Sequence, residues 1–595
     1  MKKTFLFISV MLLVLICASG AFAEEVSEIV FSQDGIRAVE TKALSVSGNT
    51  VTIRDKGIYS FSGKLENGQI VVDAGGKDNV TIILNGATVT NATAPALVVK
   101  NANLTVLQLA AGTENAFISG EAVDVLSAEK DEAAEGGAIH AKDSLRIEGD
   151  GSLTVGGYLN NGIHTSNNLT IFSGKITVEA VNHGVKGRDS VLIEGGALTV
   201  TSGKDGVTSD SAAGEGYGLV IIRGGTLNIN AAGDGIQAET RLDISGGVLD
   251  VTSGGGSAGA AYDEPDEWGG WRRGGFGSGG HFGPGDDFGE DTNDTVSAKG
   301  LKSGMAMTLS GGVIIVDAAD DAVHSNGTIT ITGGTLTLSS GDDGIHADTA
   351  LDVENGVITI LASYEGMEAN QILLAGGVMD ITSADDGINA CGGESFDMGR
   401  GGFGGRGGFG GRGGFGGRDG NQPPQGQPDS ARTSSDMPLL RITGGSIHLN
   451  ANGDGLDSNG SIIVEGGEVV VDGPFRSMNG AIDAGTESGG SCEVHGGMVL
   501  AIGAAGMADT FGSASTQCAF QVTLREIAAG EEIVITDSQG AELMRHTALK
   551  SCASIVFTSP ELILGETYTV TAGSQSTQIT LDSVSVGGQS MRWGW

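Results

Sequence analysis

Short alternations of apolar and polar residues fill this chain, and no stretch settles into the 3.6-residue apolar stripe of an amphipathic helix. Typical runs are Thr328-Ile329-Thr330-Ile331 and Thr335-Leu336-Thr337-Leu338. A period of two puts alternate side chains on opposite faces of a strand. Gly pairs and Asx residues break the runs, supplying positive φ and side-chain-capped turns.

The runs recur in a fixed order. A short phrase reads Gly-Ile-His-Thr at 162–165, Gly-Val-Lys-Gly at 184–187, Ala-Val-His-Ser at 322–325 and Gly-Ile-His-Ala at 344–347. Its apolar residue marks the register. Ile163, Val185 and Val207 stand 22 residues apart, as do Leu301, Val323, Ile345 and Met367. Between marks lies Gly-Gly-x-apolar-x-apolar, as at 195–200, preceded by a third alternating run. Each unit therefore predicts three short strands. A unit this small cannot bury its own apolar face, so it must stack on its neighbours. The expected fold is all-β: a single-stranded parallel β-helix, a solenoid of about 22-residue coils. Thirteen marks at about 4.8 Å per coil give a prism of roughly 60 Å. A leucine-rich repeat needs a Leu-x-x-Leu-x-Leu pattern, which is absent.

Residues 24–137 lack the phrase but carry short strands such as Val80-Thr81-Ile82-Ile83-Leu84, and read as an N-terminal β cap or leading coils. The β-helix proper is expected over 138–512. Residues 513–595 are again β and read as a C-terminal cap, because a bare terminal coil exposes strand edges. Two jumps in spacing mark Gly-rich inserts at about 254–296 and 391–437. The first holds Trp268 and Trp271; the second repeats Gly-Gly-Phe-Gly-Gly-Arg, with Arg406, Arg412 and Arg418. Neither can form a core, so both read as disordered loops. The functional alternative is that Trp268 and Trp271 stack on sugar faces while the arginines contact uronate groups.

The N-terminus sets the compartment. Lys2 and Lys3, an apolar run from Phe5 to Cys17 and Ala21-Phe22-Ala23 form a signal peptide over 1–23, cleaved after Ala23. The protein is expected to be secreted, with no membrane span. Its 103 glycines lack the three-residue period of collagen. A net charge of −40 excludes nucleic acid and anionic lipid as partners and suits hard cations. Cys391, Cys492, Cys518 and Cys552 lie outside the leader without CxxC or zinc spacing. Cys518 and Cys552 are candidates to pair, and sequence leaves that pairing open.

Acidic residues recur just before the mark, doubled at Asp320-Asp321, Asp342-Asp343 and Asp385-Asp386, with Glu365 and Glu368 in the coil between the last two. Stacking brings equal positions to about 4.8 Å. Carboxylates that close need a cation or protons. Ca²⁺, which takes 6–8 oxygen ligands, is the expected cofactor, and these eight residues its candidate ligands. The bland alternative is an Asx-type turn at each Asp-Gly. His324 and His346 share a register with His140 and His164, as do Lys186 and Lys302. His324 and His346 are candidate sugar contacts, though stacked imidazoles along the ladder explain them equally. Lys186 or Lys302 beside calcium would suit β-elimination, whereas a turn lysine ordinarily just lightens an acidic edge. No catalytic residue is assigned.

The stretch from Asp320 to Ala390, with its linked Asp-Asp-Gly-Ile motifs, resembles a secreted bacterial family: carbohydrate-binding domain proteins of parallel β-helix fold related to polysaccharide lyase family 9. Gly57-Ile58-Tyr59-Ser60-Phe61-Ser62-Gly63 matches its opening, and Gly565-Glu566-Thr567-Tyr568-Thr569 resembles its ending. The chain departs from the pattern at Ala322, where Gly is usual, and in the aromatic insert. The resemblance implies a right-handed β-helix that binds calcium and a plant cell-wall polysaccharide, cellulosic or pectic, without cleaving it. A calcium-dependent pectate lyase and a structural surface adhesin are the competing readings. The glycan, the number of ions and the oligomeric state are open.

Overall fold

The computed structural model describes residues 26–128, 136–259, 297–391, 437–475, 479–506 and 508–587. The leader, Trp268, Trp271 and the insert arginines lie outside them. The described residues are all-β, apart from two single 3₁₀ turns at Ser257–Gly259 and Thr486–Ser488.

The register marks form one parallel ladder. Ile139 pairs with Ile163, then Val185, Val207, Ile236, Leu301, Val323, Ile345, Met367, Ile388, Leu456 and Ile482. The same ladder runs back through Leu97 and Ile70 to Val51, where no phrase announces it. A second ladder carries Ile147, Ile171, Ile193, Ile222, Ile244, Leu309, Ile331 and Val353. A third carries Val155, Val178, Val200, Ile229, Val251, Val316, Leu338 and Ile360. Each strand thus pairs mainly with its counterpart one repeat on.

These three columns point inward and are almost wholly buried, forming one continuous apolar core. Each such side chain contributes about 1.5–3 kcal/mol on leaving water. Strand alternation sends the residues between them outward. Glycine is demanded at the tight corners. A Cβ on Gly184 would lie 2.2 Å from Val200 Cγ1, and Gly334 sits at φ +96°. Ala322 is accommodated, fully buried, at a corner that is glycine in most repeats and alanine again at Ala138 and Ala481.

Both ends change pairing sense. At the N-terminal end, hairpins Val26–Ser32/Gly35–Ala38 and Leu44–Ser47/Thr50–Ile53 are antiparallel. At the other end, Cys552–Thr558 lies antiparallel between Cys492–Gly503 and Ala519–Ile527. A separate four-stranded sheet, Glu542–Thr547, Glu532–Thr536, Thr567–Ala572 and Gln575–Thr580, packs over a second apolar core. Among the described residues no helix is long and apolar enough to cross a membrane. Cys391, Cys492, Cys518 and Cys552 are all free thiols, so Cys518 and Cys552 do not pair.

Candidate functional site

Outward positions of the first ladder line up as one polar column. It runs His140, His164, Lys186, Thr208, Gln237, Lys302, His324, His346, Glu368, Asn389, Asp457 and Asp483. Imidazoles and ammoniums crowd its first part; carboxylates close it. Eleven steps of about 4.8 Å make it roughly 53 Å long. The rings stack as expected for equal positions in adjacent strands, with centroids 5.1 Å apart for His140 and His164 and 5.0 Å for His324 and His346.

A second polar column stands three residues earlier, at the turn. It holds His183, Asp205, Asp234, Lys299, Asp321, Asp343, Glu365, Asp386 and Asp454, each backbone carbonyl accepting the corner amide of the repeat before it. The aspartates also serve the turn with their side chains. Asp205 Oδ1 accepts from Asp234 N at 3.0 Å, Asp234 Oδ1 from Lys299 N at 2.9 Å, Asp321 Oδ1 from Asp343 N at 3.1 Å and Asp386 Oδ1 from Asp454 N at 2.6 Å. Their capping therefore links one repeat to the next.

The sequence-predicted acids separate into different environments. Asp320 and Asp321, with Asp342 close by, gather three carboxylates, but Lys299 Nζ stands 3.0 Å from Asp320 and 2.6 Å from Asp321. Burial would raise the Asp321 carboxyl, yet the His324 hydrogen bond and the Lys299 charge hold it well below the usual range. Asp343, His346 and Glu368 form a second cluster. Burial would lower the His346 imidazole, but hydrogen bonds to Asp343 and Glu368 outweigh it and push the pKa up to about 11. Glu365 and Asp386 are driven well up, by burial first and neighbouring carboxylates next. Asp385 is raised mainly by burial.

A further trio, Asp454, Asp457 and Asp483, brings three carboxylates together with their oxygens within 4.8 Å of one another. Among the described residues none of the three has an ion-pair partner. Burial and repulsion from Asp454 and Asp483 push Asp457 up to about 8, burial with Asp509 and Glu487 takes Asp483 to about 6, and burial with nearby carboxylates takes Asp454 to about 7. Sequence reasoning did not single out Asp457 and Asp483. The signal was available: they hold the outward register of His324 one and two marks beyond Ile388.

The lysines and histidines are committed. Lys186 Nζ lies 2.6 Å from Asp210, and Lys302 Nζ 3.1 Å from Asp234 and 3.0 Å from Ser297 Oγ. Both are charged partners of carboxylates rather than free bases. His324 is only 8% exposed and bonded through Nδ1 to Asp321 at 2.8 Å, so its ring is sealed from a large ligand; His346 is more open. Trp268 and Trp271 lie outside the described residues.

Residues 47–344 match the model of the carbohydrate-binding domain-containing protein family. A carbohydrate-binding domain-containing protein of Acetivibrio thermocellus is 36% identical over 163 residues, covering 27% of this chain and 56% of that relative. The chain thus spans little more than half of that relative's length. A solved polysaccharide lyase-like protein from C. thermocellum, as a gadolinium derivative, is 36% identical with a TM-score of 0.36, covering 38% of this chain and 92% of its own. With the family model spanning half of its length, this chain belongs to the carbohydrate-binding domain-containing protein family.

Proposed function

We propose that this chain is an exported, non-catalytic protein that binds a plant cell-wall polysaccharide, cellulosic or polygalacturonate, with the help of calcium. The scaffold on this reading is a right-handed single-stranded parallel β-helix. The repeat-to-repeat parallel pairing of three strand columns supports it. The observation that carries the function is the uninterrupted polar column from His140 to Asp483. A linear glycan laid along its more open members meets imidazole and ammonium groups early and carboxylates late.

Calcium belongs at Asp454, Asp457 and Asp483. The donors there are all carboxylate oxygens and, among the described residues, no lysine, arginine or histidine is ion-paired to them. Asp320, Asp321 and Asp342 fit an ion less well, because Lys299 already supplies positive charge. Calcium needs 6–8 oxygens, so a bound ion would keep positions open to uronate carboxylates of the glycan. The lysines' ion pairs argue against proton abstraction, which needs a neutral amine.

The test is co-sedimentation with cellulose and with polygalacturonate, in calcium and in EDTA, while following absorbance of unsaturated products. Calcium-dependent retention without new absorbance is expected. Unsaturated ends would replace the binder reading with a lyase, and no retention on either glycan would end it.

A further inference from the structure

Two of the acid clusters differ in donor chemistry. Asp454, Asp457 and Asp483 offer oxygen alone, whereas the cluster one turn of the ladder away from Asn389 offers nitrogen and sulfur as well. His346 Nδ1 stands 3.0 Å from Asp343 Oδ2 and 3.1 Å from Glu368 Oε2. Cys391 Sγ lies 2.7 Å from the other oxygen of Glu368, Oε1. On the far side of the ring, His346 Nε2 stands 3.1 Å from Asp348 Oδ1.

This is more than charge pairing requires. One ring nitrogen carries at most one proton, yet two carboxylates face Nδ1 at equal range. A single N–H can serve both only by sharing itself in a three-centre bond. A cation at the point where Nδ1 and the two carboxylate oxygens converge would satisfy all three. The contact on the other side completes the pattern: a metal-bound histidine ordinarily donates its second N–H to a carboxylate, which sets tautomer and ring orientation. Asp348 stands where that partner is needed. The adjoining group Asp321–His324 lacks this freedom, since Lys299 is already on Asp321.

We propose that Asp343, His346 and Glu368, with Cys391 as fourth donor and Asp348 orienting the ring, bind a divalent transition-metal ion of the zinc class. Hard cations such as calcium take oxygen ligands; imidazole and thiolate select zinc and its neighbours. Zinc binds N, O and S donors at about 2.0–2.3 Å in a tetrahedron, which leaves donors roughly 3.3–3.7 Å apart by the same geometry. The contacts around Nδ1 need to open by only a few tenths of an ångström, while Cys391 Sγ, which rests on the outer oxygen of Glu368, must turn toward the ion. Binding releases the Nδ1 and thiol protons to solvent. The polar column then holds two kinds of site: a zinc-class ion in its middle and an oxygen-only site near its end. The site does not depend on the glycan reading.

The test uses the whole protein with Co²⁺ and Zn²⁺ in the presence of millimolar calcium. One Co²⁺ is expected to give the intense visible bands of four-coordination and a near-ultraviolet thiolate charge-transfer band. Cys391→Ser should abolish the near-ultraviolet band while visible bands persist. His346→Asn should weaken Zn²⁺ binding by 100-fold or more, and Asp348→Asn by roughly 10–100-fold, with the calcium response of Asp457 intact. Weak, six-coordinate-type Co²⁺ spectra, displacement by calcium, or Zn²⁺ affinity indifferent to His346→Asn would overturn the proposal. Should His346→Asn fail to fold, the wild-type spectrum and Cys391→Ser still decide it.

Discussion

Lys299 holds its ammonium 2.6 Å from the carboxylate of Asp321, which is 3% exposed. Lys299 occupies the turn column between Asp234 and Asp321, the one lysine in a run of acids, so it stabilises two neighbouring repeats at once. Removing one partner of a buried pair leaves an uncompensated charge and costs about 3–5 kcal/mol. Lys299→Met is therefore expected to lower the unfolding free energy measured in urea by an amount in that range, and the midpoint with it. A midpoint equal to that of the parent protein would show that Asp321 is neutralised by other means.

Calcium at Asp454, Asp457 and Asp483 should read out as stability. An ion that binds only the folded state, at a hundred times its dissociation constant, adds about 2.7 kcal/mol. The parent protein is expected to melt higher in calcium and to revert in EDTA. Asp457→Asn should lose most of that gain, whereas Asp320→Asn should keep it. An Asp457→Asn protein with the full calcium response would move the ion elsewhere.

The C-terminal sheet is fastened through Asp472, which is 1% exposed. Its Oδ2 lies 2.9 Å from His546 Nε2 and 3.2 Å from His448 Nε2, and its Oδ1 accepts from Leu549 N at 2.8 Å. Burial alone would raise the Asp472 carboxyl, but the two imidazoles and the amide hold it well below the usual range. Its contribution is present above the unfolded pKa, near 3.8, and fades as pH falls through the folded value. His448 is raised, first by its bond to Asp472. Its contribution is full below 6.5 and fades as pH rises through the folded value. Amide exchange in Glu532–Thr536 and Glu542–Thr547 should thus be slowest between about pH 4 and 6.5 after correction for intrinsic rate. Asp472→Asn should flatten that profile; an unchanged profile would remove Asp472 as the fastener.

Gly184 tests the corner. A Cβ there would press to 2.2 Å of Val200 Cγ1 and 2.8 Å of the Gly206 carbonyl oxygen. Overpacking of this kind costs about 1–3 kcal/mol. Gly184→Ala is expected to unfold at correspondingly lower urea, and an alanine variant as stable as the parent would mean that the third ladder can shift to make room.

The ladder of marks was legible because a strict 22-residue period survives in two runs, Ile163 to Val207 and Leu301 to Met367, and period-2 alternation assigns each side chain a face. Val51, Ile70 and Leu97, in the segment read as leading coils or cap, could not be put in register because their spacings are irregular, although they continue the same column. The site was half legible. Doubled aspartates stand out in a string of letters, but Lys299 does not, and it changes what Asp320 and Asp321 can hold. Asp457 and Asp483 are single acids whose meaning appears only once stacking puts them beside Asp454. Asp348 was noticed as part of a motif, but its place behind His346 depends on ring orientation, which no spacing encodes.

The antiparallel strand Cys552–Thr558 does for the molecule what a terminator does for a growing polymer. Parallel ladders present the same edge at every repeat, so an uncovered end could add another copy indefinitely. By reversing direction against Cys492–Gly503 and being covered in turn by Ala519–Ile527, that strand leaves an incoming repeat no parallel edge to extend. Growth can then occur only from within, by insertion or loss of whole 22-residue units between unchanged ends. Such changes alter the length of the polar column without rebuilding either end.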